Sequence, residues 1–230
     1  MVAGQGVLAE SNPGFIIFST AQNNSEYAYV GTDTSIFQCS VKTDGSGDFN
    51  SCTQLYTPLE LPSFYNAGGS AGISFTNING SQFMSFSGYH DLYVYTCQVN
   101  NDGTISNNCS YTQYSSYFEV TGVTSATING NSYVYVADYG NTNDTYICPL
   151  NASGQFAGSN ICTDMTNRSI SNSLRYSWSI NIHKYNGTNY AYVAGHPVNK
   201  NVLQCPVDNN GIISNSCTPA VSPQNLPYFK

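Results

Sequence analysis

Charge is what this chain has least of. Only 8% of its 230 residues are Asp, Glu, Lys or Arg, and the six Lys plus Arg are not clustered. Nucleic acids and anionic membranes are held by grouped cations that neutralise phosphates, so neither is expected as a partner. Long apolar runs are also missing. No stretch approaches the length of a membrane span, about 18 consecutive apolar residues, so membrane insertion is not expected. The opening MVAGQGVLAESNPG has neither the basic start nor the apolar run of a secretory leader. Met1 is therefore read as the start of a mature domain whose targeting segment has been left out.

Other absences narrow the chemistry. Apolar residues never recur at i, i+3, i+4 and i+7 over a helical length, which leaves no helix to predict. Zinc-type CxxC pairs, phosphate-cradling glycine loops and the Gly-x-Ser-x-Gly nucleophile turn do not occur. No cofactor, metal or catalytic residue is expected.

What fills the chain instead is Tyr (19), Gly (20), Asn, Ser and Thr, with 40% hydrophobic residues and a net charge of −7. Apolar and polar residues alternate, and β-branched and aromatic types dominate the alternation, as in half-buried strands. One module recurs four times: EYAYVGTDTSIFQCSVKTDGSGDFNSC (26–52), QFMSFSGYHDLYVYTCQVNNDGTISNNC (82–109), SYVYVADYGNTNDTYICPLNASGQFAGSNIC (132–162) and NYAYVAGHPVNKNVLQCPVDNNGIISNSC (189–217). First cysteines at 39, 97, 148 and 205 set a period of 51 to 58 residues. Each period holds four strand-like runs: an inner one (15–20, 72–77, 124–129, 178–183), the YAYV-type strand, and two cysteine strands. Four strands per repeat predict an all-β, four-bladed propeller of antiparallel blades, a single domain over 1–230 with blades near 13–57, 71–113, 123–166 and 177–218.

Turn chemistry agrees. Asn79-Gly80, Asn129-Gly130 and Asn186-Gly187 join first to second strands, and Asp44-Gly45, Asp102-Gly103 and Asn210-Gly211 join third to fourth. Both sets are read as tight hairpins with adjacent residues at positive φ, all on one face. The opposite face receives the second-to-third-strand loops and the crossovers between blades, roughly 53–71, 110–123 and 163–177.

Eight cysteines allow 105 pairings, and the repeat selects one: Cys39–Cys52, Cys97–Cys109, Cys148–Cys162 and Cys205–Cys217, each bracketing a hairpin. Persistent disulfides imply an oxidising compartment. The protein is accordingly expected to be secreted, extracellular, at the cell surface or in a periplasm. Seven N-x-S/T sequons, at Asn23, Asn79, Asn108, Asn143, Asn151, Asn167 and Asn186, are compatible with a glycoprotein.

The repeated Tyr-x-Tyr-Val-Ala/Gly, apolar-x-x-Cys-x-Val/Leu and Gly-x-Phe/Ile pattern, from Phe15 to Cys217, resembles the repeats of bacterial YVTN-type, lactonase-like β-propellers, in a variant with one cysteine pair per blade. The resemblance implies blade architecture and a family that includes lactonases, surface-layer and adhesion modules. Its enzymes usually have seven blades against the four counted here, so no active site is carried across.

Two sets of residues are candidates for ligand binding. Asp33, His90, Asp138 with Tyr139, and His196 occupy nearly equivalent loops after the YAYV-type strand. Converging imidazoles and carboxylates there could bind a metal or do acid–base work; standing apart, they are separate solvated residues. The crossovers supply Tyr56, Phe64, Tyr65, Tyr114, Tyr117, Phe118, Tyr176, Trp178, Tyr228 and Phe229. Their rings either stack on sugar faces, for which Tyr65, Tyr117 and Tyr176 are the candidates, or plug the wedges between blades. Asp44 and Asp48 form half a calcium loop and are read as a hairpin turn.

The function expected from these features is non-enzymatic binding or adhesion outside the cytoplasm, with carbohydrate or a protein surface as partner. The alternatives are a structural subunit of an extracellular assembly or filament, self-associating through unlatched termini, and a lactonase-like hydrolase implied by the resemblance alone.

Overall fold

A computed structural model of the chain describes residues 13–32, 35–56, 72–88, 91–114, 120–138, 145–165, 177–195 and 202–221. They form four antiparallel sheets of four strands, each built from consecutive strands in order. The first sheet contains β1 (Pro13–Thr20), β2 (Glu26–Thr32), β3 (Ile36–Val41) and β4 (Gly47–Tyr56). The second has β5 (Ile73–Ile78), β6 (Ser81–Phe86), β7 (Tyr93–Val99) and β8 (Ile105–Gln113). The third has β9 (Val120–Ile128), β10 (Asn131–Asp138), β11 (Thr145–Leu150) and β12 (Thr163–Asp164). The fourth has β13 (Ser177–Tyr185), β14 (Thr188–Gly195), β15 (Val202–Val207) and β16 (Thr218–Val221). This is an all-β, four-bladed propeller, and each blade carries its own disulfide: Cys39–Cys52, Cys97–Cys109, Cys148–Cys162 and Cys205–Cys217.

Alternation explains how the blades stack. Along β2, Tyr27 and Tyr29 point to one side and Ala28 and Val30 to the other, because successive side chains of a strand leave opposite faces. Tyr29 joins a core with Ile73, Met84, Phe86 and Tyr95 of the second sheet. A second core joins Phe83 and Val94 to Val134, Val136 and Tyr146 of the third sheet, and another joins Tyr135 and Ile147 to Ile180, Val193 and Ile213 of the fourth. The hydrophobic core thus lies in the seams between blades. The inner strands β1, β5, β9 and β13 all line one axial channel of about 340 Å³.

One of the two turn sets differs from expectation. In the first-to-second hairpins both residues of Asn79-Gly80, Asn129-Gly130 and Asn186-Gly187 have positive φ, as tight two-residue turns require. In the third-to-fourth hairpins only the glycine does, at Gly45, Gly103, Gly154 and Gly211. There the preceding backbone stays right-handed, and the carboxylates of Asp44 and Asp102 cap the turn by accepting from the N–H of Ser46 and Thr104. Asp44 is therefore a turn residue, as the hairpin alternative had it.

The outer strands also shift. In the second sheet Cys109 sits in the strand opposite Cys97. In the third and fourth sheets the residues after the turn make only single bridges, Leu150 with Phe156 and Val207 with Ile213. The fourth strand there follows the cysteine, so Pro219–Val221, beyond the expected end of the last blade at 218, belongs to β16 (Thr218–Val221).

Candidate functional site at the crossover face

The axial channel can contact a ligand but cannot move its protons. Its walls include Ser74, Thr121, Thr124, Ser179 and Asn181 among Phe15, Ile73, Val123 and Ile180, and among the described residues no acid or base lines it. Hydroxyls also tie the walls together. Thr121 Oγ1 donates to Ser177 O at 2.6 Å across the third seam, and Ser125 N–H donates to Ser74 Oγ at 2.9 Å across the second.

Ionisable groups appear at the end of the channel where the inner strands begin. Asp138 ends β10 opposite Val120, the first residue of β9, and is fully buried. Asp91 lies just before β7 and is 1% exposed. Between them stands Tyr114, which follows β8 and belongs to the core of the second seam. Its hydroxyl donates to Asp91 O at 2.8 Å and its N–H to Leu92 O at 3.2 Å. Its ring meets Tyr146 of β11 edge-on, with centroids 5.4 Å apart. Burial drives the Tyr114 hydroxyl well above the ordinary tyrosine range, and the charges of Asp138 and Asp91 push it further the same way. One tyrosine therefore senses two carboxyl groups from adjacent blades.

Asp91 is the perturbed acid of the pair. Its Oδ1 accepts the Tyr93 N–H at 3.1 Å, and its Oδ2 is buried. Removing a carboxylate from water without full compensation favours the neutral acid. Burial accordingly pushes the Asp91 carboxyl up to about 7, against the smaller opposing pull of the Tyr95 hydroxyl and the N–H groups of Tyr93 and Leu92. Such a group is a proton donor at neutral pH.

Of the loop candidates, the structure describes Asp138 alone. It is packed into the second seam and not solvated. Asp33, His90, Tyr139 and His196 lie outside the described residues, as do Tyr65, Tyr117 and Tyr176. Tyr114, from the aromatic crossover set, is a packing residue at 6% exposure. Sequence reasoning missed Asp91, although it directly follows His90. The available signal was a lone acid immediately before the apolar strand LYVY, in a chain with few acids. Among the described residues no group of three or more His, Cys, Asp or Glu side chains is placed to hold a metal.

The class of protein is therefore a β-propeller with an acidic seam at its crossover face. No protein-family model matches the chain, and no curated protein sequence matches it. Solved structures do. An α-L-arabinofuranosidase from Clostridium thermocellum matches with a TM-score of 0.57 at 15% identity, covering 91% of this chain and 72% of that one. Another from Lactobacillus brevis gives 0.58 at 10% identity, covering 91% and 73%. An exo-1,5-α-L-arabinanase from a bovine ruminal metagenomic library gives 0.51 at 10% identity, covering 86% and 76%. At such identities the likeness establishes the fold. It also corrects the expectation of a non-enzymatic binding and adhesion propeller, because the solved structures the chain resembles include arabinofuranosidases and an arabinanase.

Proposed function

We propose that the protein is carbohydrate-active and cleaves glycosidic bonds at the crossover face, where the second seam meets the axial channel. The observation that carries this is Asp91, a carboxyl kept protonated up to about pH 7 on a fold shared with arabinofuranosidases. Glycoside hydrolysis generally pairs a protonated carboxyl with an ionised one. Asp91 would give its proton to the glycosidic oxygen as the bond to the anomeric carbon breaks. Water attacks that carbon and its proton restores the Asp91 carboxyl, so an alcohol and a hemiacetal leave and the proton count balances. The channel hydroxyls of Ser74, Thr121 and Thr124 suit the hydroxyls of a saccharide. His90 and Tyr139, adjacent in sequence to the two acids, and Asp33, His196, Tyr65, Tyr117 and Tyr176 are proposed as ligand contacts of the same face.

The compartment is proposed as extracellular, because the four disulfides formed here persist in oxidising surroundings. Kinship with YVTN-type repeats is proposed on the Tyr-x-Tyr-Val pattern. The test is incubation with arabinan, arabino-oligosaccharides and xylo-oligosaccharides, followed by chromatography of released sugars. Release by the native protein and its loss in Asp91→Asn, with the fold intact by circular dichroism, is expected. No release from any of these substrates at pH 5 to 7 overturns the proposal.

A further inference from the structure

The second blade carries two aromatic rings that the repeat does not require. Two residues before the first cysteine of each blade stand Phe37, Tyr95, Tyr146 and Leu203, and the residues opposite them on the outermost strand are Gln54, Tyr111, Asp164 and Pro219. An aromatic side chain therefore occupies this outer position in the second blade alone. Its neighbour Tyr93, four residues before Cys97, has Ser35 as its counterpart four residues before Cys39.

The first blade shows how little these two positions need in order to join. There Gln54 Nε2 simply donates to Ser35 Oγ at 2.6 Å. In the second blade the same positions meet ring to ring, Tyr93 against Tyr111, with centroids 5.5 Å and planes 87° apart. Tyr111 lies on the edge strand β8 and is 46% exposed, and Tyr93 is half-buried. Behind them the buried Tyr95 stands 6.1 Å from the Tyr111 ring and stacks on Phe86 at 5.3 Å, so the outer ring is braced from the core. A ring that the blade does without elsewhere, held from behind and nearly half in solvent, is disposed to stack on a ligand.

The place of the pair says what that ligand is. Asp91 Oδ1 accepts the Tyr93 N–H at 3.1 Å, so the rings begin beside the acid itself. Gln113, opposite Tyr93, adds an amide, and the two tyrosines add hydroxyls at the ring edges. Flat apolar faces with polar edges suit a sugar, whose C–H bonds stack while its hydroxyls are hydrogen-bonded. The strand order β5, β6, β7, β8 runs outward from the channel, and three strand spacings of about 4.8 Å put β8 about 14 Å from the channel wall. A single sugar in the channel does not span that distance, whereas an oligosaccharide lying radially does. We propose that Tyr93 and Tyr111 form the stacking platform for the part of an oligosaccharide that runs outward from Asp91, which makes the protein selective for chains of several sugars. The proposal rests on the reading of the protein as carbohydrate-active.

Isothermal titration calorimetry tests it, with arabinobiose, arabinopentaose and xylopentaose added to the full chain carrying Asp91→Asn, so that the saccharides stay intact. A pentasaccharide is expected to bind more tightly than arabinobiose. Adding Tyr111→Ala should weaken pentasaccharide binding about tenfold and leave arabinobiose unchanged, while Tyr111→Phe keeps the ring and the affinity. Should Tyr111→Ala fail to fold by circular dichroism, Tyr111→Val, which suits an edge strand, takes its place. Pentasaccharide binding that is absent, or that is the same with and without the ring, overturns the proposal. Sugar release by the native protein is read separately. Release together with binding indifferent to Tyr111 removes the platform and leaves the cleavage reading standing; binding that depends on Tyr111 without release does the reverse.

Discussion

The Tyr29 hydroxyl donates to the Gly103 carbonyl at 2.7 Å, joining two residues 74 apart in sequence across the first seam. Both partners are buried, so Tyr29→Phe leaves a carbonyl oxygen without a donor and costs about 1 to 3 kcal/mol. Tyr135→Phe, which frees Gly211 O, should cost about the same and add to it, because the two seams share no partner. Urea titration of the single and double variants checks both the size and the additivity.

Two hairpin glycines separate backbone strain from steric collision. Gly45 and Gly103 have φ of +82° and +80°, but an added Cβ at Gly45 meets nothing, and at Gly103 it falls 2.4 Å from Gln38 Nε2 and 2.7 Å from the Tyr27 ring. Gly45→Ala should therefore cost only the left-handed conformation, about 1 kcal/mol. Gly103→Ala adds overpacking of about 1 to 3 kcal/mol. Differential scanning calorimetry should show Gly103→Ala melting clearly below Gly45→Ala.

Each disulfide closes a loop across 12 to 14 residues of sequence separation. Chain-entropy arguments assign such a loop about 3 kcal/mol. Replacing Cys97 and Cys109 with Ser should lower the melting temperature sharply, and titration of the native protein with a thiol reagent should find no reactive thiol.

The blades were legible in the sequence because their determinants are local. Cysteine spacing, Asn-Gly dipeptides and strand alternation all act within one repeat, and they placed the four sheets and the four bridges. The limits appeared where neighbours mattered. Pro219–Val221 fell beyond the expected last blade, since a four-residue strand paired with Val202–Gln204 shows no alternation of its own. Asp91 escaped notice because its chemistry comes from burial in a seam beneath Tyr114, 23 residues further along the chain. Asp138 was picked out as a loop residue for its type and position, and its burial between blades depends on contacts that no single repeat contains.

The raised Asp91 pKa makes a signed statement about stability. Folding lifts this carboxyl from the ordinary range to about 7, so between those values the folded state holds the proton more tightly than the unfolded state. The contribution is fully present at pH below the ordinary carboxylate value and is lost as pH rises to about 7. Native protein should therefore lose stability across that window, and Asp91→Asn should lose less, by denaturant titration at pH 4, 5.5 and 7.5.

Hydrolysis itself tests the central claim most directly: release of sugar from arabino- and xylo-oligosaccharides, followed against pH for the native protein and Asp91→Asn. Activity that falls as pH rises through about 7, and that disappears in the folded variant, is the expected result. Absence of any release by the native protein, or full activity in Asp91→Asn with the same pH profile, contradicts it.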